Sequence, residues 1–97
     1  MARRAFTASG TGSRHDTARL EFESLCDELK ITSNVYFKVL VRARSLEEFG
    51  ALSQHPGEEF FMVLRGEVLF HSEYYKDLPM KTGDSVCFDA MMGHAYV

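Results

Sequence analysis

At 97 residues the chain has room for one hydrophobic core and no second one. With 45% hydrophobic and 26% charged residues it has the composition of a globular protein, and eight Phe and four Tyr without Trp favour strands. The net charge of −3 divides unevenly: residues 1–14 carry Arg3, Arg4 and Arg14 and no acid, and the remaining body is acidic, which excludes direct nucleic-acid binding through a basic face.

Residues 7–17 are rich in Ser, Thr and Gly and lack a hydrophobic period, so residues 1–17 read as a flexible N-terminal arm and 18–97 as the folded domain. Leu20-Glu21-Phe22-Glu23 alternates apolar and acidic, a half-buried strand. Residues 25–31 fit either a short helical turn or an irregular connection. The clearest strand spans residues 35–42, with Val35, Phe37, Val39 and Val41 on one face and Tyr36, Lys38, Leu40 and Arg42 on the other. Ser45-Leu46-Glu47-Glu48 has the spacing of a capping box, which predicts one turn of helix ending at Gly50.

The stretch His55-Pro56-Gly57-Glu58-Glu59 places an imidazole and two carboxylates around a bend. A straight strand would hold His55 and Glu59 about 13 Å apart, too far to share one ion. Pro56 fixes its own φ and Gly57 accepts a positive one, so the chain can fold back and turn both side chains toward one cavity, with His94 as their natural partner. A solvated turn with two polar side chains is equally compatible with these residues alone.

From Glu58 to Leu64 both faces become apolar: Glu59, Phe61 and Val63 share one side, and Phe60, Met62 and Leu64 the other. Such a strand is expected to be covered twice, once by a second sheet and once by a partner chain. Gly66 ends it. Val68 and Phe70 then alternate with Glu67, Leu69 and His71. Residues 74–80, with Pro79, read as a turn-rich connection. Thr82-Gly83-Asp84 is a tight turn, Val86 and Phe88 alternate with Ser85, Cys87 and Asp89, and Met91-Met92-Gly93 loops into His94-Ala95-Tyr96-Val97. Six or seven short strands with frequent turns predict an all-β sandwich or barrel.

These residues resemble the cupin superfamily. His-x3-Glu-x6-Gly at His55, Glu59 and Gly66, followed by Gly83-Asp84 and a late His94, is similar to its two motifs over residues 18–97. The wording is similar to the C-terminal cupin sensor domain of Xre-type helix-turn-helix transcriptional regulators, at His55 to Phe60, Val63 to Glu67, Gly83 to Ser85, Phe88-Asp89 and His94. The resemblance implies a small cupin-like β-barrel, a double-stranded β-helix or jelly roll. Such cupins continue past the last histidine, so a C-terminal strand is expected to be missing or supplied by a partner.

Carried onto this chain, the family's metal ligands are His55, Glu59 and His94. Ser53 stands at the first histidine position and Glu47 at the opening glycine. Asp89 and Met91 replace the proline and glycine of the second motif, and its asparagine falls beyond Val97. Two histidines and a carboxylate remain, a set used by non-haem Fe(II) and by catalytic Zn²⁺, so the implied cofactor is a divalent metal: Zn, Fe, Mn or Ni. An organic ligand bound directly to the histidines is the metal-free alternative.

Phe61, Val63, Phe88 and Tyr96 are expected to shape a ligand pocket. His71 and Cys87 lack motif spacing and read as a strand-face residue and a small core residue. The functional expectation is a small-molecule-binding sensor domain without its DNA-binding part. The alternative is a small metal-dependent enzyme, a dioxygenase or isomerase. The partners expected are a small molecule and a second copy of the chain, forming a homodimer, with no membrane and no direct nucleic acid. Two cysteines, no apolar segment after Arg3-Arg4 and no run of about 18 apolar residues predict a cytoplasmic protein.

Overall fold

The computed structural model describes residues 2–29 and 34–97 and is almost entirely β. Its backbone gathers into two compact units, Met1–Arg42 and Ala43–Val97. Among the described residues no helix is long and apolar enough to cross a membrane.

The first unit is a three-stranded antiparallel sheet in the order β1-β2-β3, built from Arg14–Asp16, Leu20–Leu25 and Tyr36–Val41. The stretch expected as a flexible arm therefore contributes a strand. The contacts that hold it are polar, which is why no hydrophobic period announces it. Thr7 Oγ1 accepts from the Cys26 N–H at 2.8 Å, and the buried Glu23 carboxylate accepts from the Gly12 N–H at 2.9 Å. A Cβ at Gly12 would lie 2.1 Å from the Ser24 carbonyl oxygen, so only glycine permits that approach. Glu21 on β2 bonds Arg14 on β1 at 2.9 Å and also Arg42, the residue directly after β3.

Residues 25–31 lie partly outside the described residues; within them Leu29 N–H donates to the Cys26 carbonyl at 3.2 Å, closing a turn. Strand β3 exposes apolar side chains on both faces, Phe37 and Val39 on one and Tyr36 and Leu40 on the other.

The second unit opens with α1, Leu46–Phe49. Ser45 Oγ accepts from the Glu48 N–H at 3.1 Å, as the capping spacing predicts, while Glu48 reaches back one residue further, to the Arg44 N–H at 2.7 Å. Two sheets follow. One pairs β4, Glu58–Met62, with β7, Ser85–Asp89; the other has the order β6-β5-β8, from Leu78–Lys81, Glu67–Ser72 and His94–Tyr96. All pairings are antiparallel.

Strand β6 corrects the connection expected at 74–80. Pro79 sits opposite Leu69 on an edge strand, where its missing N–H deprives no second neighbour of a hydrogen bond.

Val63, Phe70, Met80, Phe88 and Ala90 form the buried core of this unit, with Phe61 and Tyr96 packed against it. Phe61 meets Tyr96 edge-on at 4.9 Å, Phe70 is tilted against Phe88 at 4.8 Å, and Phe70 stacks on Tyr96 at 6.3 Å. Each such pair adds roughly 0.5–1.5 kcal/mol to the stabilisation from buried area. The face parity of β4 is the expected one, with Glu59, Phe61 and Val63 inward and Phe60 and Leu64 outward, 62% and 71% exposed. Cys87 lies opposite Phe60 on that outward face and is exposed, not a core residue, because among the described residues no layer packs over that face.

Candidate metal centre

Two antiparallel pairings bring the ends of the second unit together. Ser53 and His94 exchange backbone hydrogen bonds at 2.9 and 3.0 Å, so the residue at the family's first histidine position serves through its backbone. The bend is stitched to Ala90 twice: His55 N–H donates to the Ala90 carbonyl, and Ala90 N–H to the Gly57 carbonyl, both at 2.9 Å. Gly57 takes φ +97°, a conformation that L side chains rarely adopt, which is why the bend needs glycine there. Beyond the bend, Glu59 enters β4 opposite Phe88, whose ring centroid lies 4.7 Å from that of His94.

The result is a cluster of His55, Glu59 and His94, each with one donor atom within 4.8 Å of the others. Glu59 Oε1 lies 3.0 Å from His55 Nε2 and 3.5 Å from His94 Nε2. Exposure is graded across the site: the side chains of His55, Glu59 and His94 are 50%, 22% and 1% exposed. One wall is therefore open to a small molecule and the other is sealed.

The tautomer of His94 follows from its partner. A carbonyl oxygen only accepts, so Nδ1–H donates to Met92 O at 2.8 Å. In the neutral ring the lone pair is then on Nε2, which is fully buried and has no hydrogen-bond partner among the described residues. Leaving such an atom unmatched costs about 1–3 kcal/mol. Glu59 Oε1, 3.5 Å away, is itself an acceptor. A cation between the two satisfies both, so the residues present fit a divalent metal. His55 has the complementary arrangement: Nδ1 lies 3.3 Å from Pro56 O, and Nε2 faces Glu59.

Three further residues build the site. Tyr96 donates its phenol O–H to Glu59 Oε2. Burial, then that hydrogen bond and the Glu59 charge, push the Tyr96 pKa well above the ordinary tyrosine value, so the proton stays on the phenol. Glu73 clamps the loop before His94, accepting from the Gly93 N–H at 2.6 Å, while its own N–H donates to Gly93 O at 2.9 Å. Phe49 packs edge-on to Tyr96, ring centroids 6.2 Å apart, and props β8 from behind.

Of the expected pocket residues, Val63 and Phe88 belong to the buried core, with Phe61 and Tyr96 packed on it. His71 lies outside the cluster and binds Asp77 at 2.6 Å. Neither Glu73 nor the Tyr96–Glu59 bond is readable from the chain, because both are long-range side-chain contacts. The one available signal was Gly93, a glycine directly before the late histidine.

The Cupin domain family model matches residues 46–97, which contain the whole cluster. The chain belongs to the cupin family. No curated protein and no solved structure matches it.

Proposed function

We propose that this chain is a small-molecule-binding sensor domain whose ligand is held at a divalent metal by His55, Glu59 and His94. The observation that carries this reading is the buried, partnerless Nε2 of His94 aimed at Glu59 Oε1, an arrangement that calls for a cation. Zn, Fe, Mn and Ni all suit two imidazoles and a carboxylate. When bound, the ion supplies a Lewis-acid position for an oxygen or nitrogen donor of the ligand.

The chain's own residues do the rest. His94 anchors the sealed side, and His55 sits where a ligand enters. Phe61, Val63, Phe88 and Tyr96 shape the apolar wall. The resemblance to regulator sensor domains favours sensing over turnover, and among the described residues no further His, Cys, Asp or Glu joins the three donors in the cluster. The apolar outward face of β4, with Phe60 and Met62, and Leu64 just beyond it, supports a homodimer. A cytoplasmic setting suits the two free cysteines.

Elemental analysis and metal titration of the purified protein and its His55→Ala and His94→Ala variants test the reading. Stoichiometric metal in the parent, lost in His94→Ala, is expected. Saturable binding of small acids and polyols to the loaded protein without turnover would uphold the sensor. Turnover would move the assignment to an enzyme, and the same metal content in all three proteins would overturn the site.

A further inference from the structure

The two oxygens of Glu59 are not equivalent. Oε2 accepts from the Tyr96 phenol, and Oε1 faces His55 Nε2 at 3.0 Å and His94 Nε2 at 3.5 Å. Tyr96 cannot easily release its hold. It lies on β8, paired with Phe70, and its ring is packed by Phe61 at 4.9 Å and by Phe49 at 6.2 Å. A carboxylate free to rotate can chelate an ion through both oxygens, whereas a hydrogen bond held on Oε2 uses one of its lone pairs and favours binding through Oε1.

Resting on the metal reading above, we infer that Tyr96 is a positioning residue that restricts Glu59 to single-oxygen coordination and thereby keeps open a coordination position that chelation would close. The site meets solvent on the His55 side, where a ligand would approach. The consequence is specific to ligand chemistry. Three single-atom protein donors would leave room on the ion for an oxygen donor of a small molecule, and a chelating Glu59 would compete with it.

The test uses Co²⁺ alone as the probe, with difference infrared spectra of protein labelled with ¹³C-carboxyl glutamate. In the parent protein, Co²⁺ is expected to widen the separation between the antisymmetric and symmetric carboxylate stretches of one glutamate, the signature of single-oxygen binding. In Tyr96→Phe, which keeps the packed ring and removes only the hydroxyl, the separation is expected to narrow below that of a free carboxylate, with the melting temperature of the metal-free protein shifted by only a few degrees. A narrow separation in the parent, or an unchanged wide one in the variant, overturns the inference and leaves the metal site standing. No Co²⁺ binding by the parent overturns both. A narrow separation in the parent is enough by itself to overturn the inference, however the variant folds.

Discussion

The two histidines of the site belong to regions of opposite character. His94 is built into strand β8 and sealed, with its tautomer set by Met92 O and its approach loop clamped by Glu73. His55 stands on a Pro-Gly bend, half exposed, positioned mainly by backbone hydrogen bonds to Ala90. The difference separates two duties: one donor fixes where an ion sits, and the other leaves room for what approaches it. Stability should therefore concentrate on the β8 side and adaptability on the bend.

The sharpest way to break this contrast is Phe49→Ala. Phe49 is 1% exposed and props Tyr96, so its truncation is expected to cost about 3–5 kcal/mol in denaturant unfolding of the metal-free protein. A cost no larger than that of a surface change would mean that β8 is not the rigid side.

Next in size is removal of the ion itself. Protein loaded at about 100 times Kd gains roughly 2.7 kcal/mol. Chelator should return its melting temperature to the metal-free value, and His94→Ala should show no such drop.

Gly93→Ala is expected to cost about 1–3 kcal/mol. The added methyl would lie 2.8 Å from Glu73 Oε1 and 3.1 Å from Leu52 Cδ1. The Glu73 carboxylate can retreat only by giving up its bond to the Gly93 N–H. Calorimetry with metal-free protein reads the loss, and adding Glu73→Ala should recover part of it.

The smallest effect sharpens the contrast most. His55→Ala is expected to change metal-free stability by no more than about 0.5 kcal/mol, since the side chain is half exposed. Its metal affinity should still fall about tenfold, near 1.4 kcal/mol. A metal-free loss matching that of Phe49→Ala would erase the distinction between the two sides.

Much of the second unit was legible in the chain. The alternation along β4 placed Glu59, Phe61 and Val63 inward, and the Ser45–Glu48 spacing marked α1, because both signals are local and have a fixed period. The bend at Pro56-Gly57 could be read because only certain residues adopt that backbone. Other features had no local signature. Strand β6 was hidden by Pro79, which argues against a strand until the edge position is known. Strand β1 has no apolar face, and its pairing partners lie in β2. The exposure of Cys87 depends on whether a second layer packs over its face of the sheet, which no window of residues reveals. The Tyr96–Glu59 bond joins two motifs that are read separately, so neither motif alone foretells it.

The backbone bridge between Ser53 and His94 also bears on the order of events as the chain folds. It closes a loop that encloses most of the second unit, and such closure is rewarded only after the intervening strands have paired. Helix α1 and the hairpin of β5 and β6 can form before the three donors ever meet. An ion is thus expected to find its seat after the rate-limiting barrier, lengthening the lifetime of the folded state while leaving the speed of refolding unchanged.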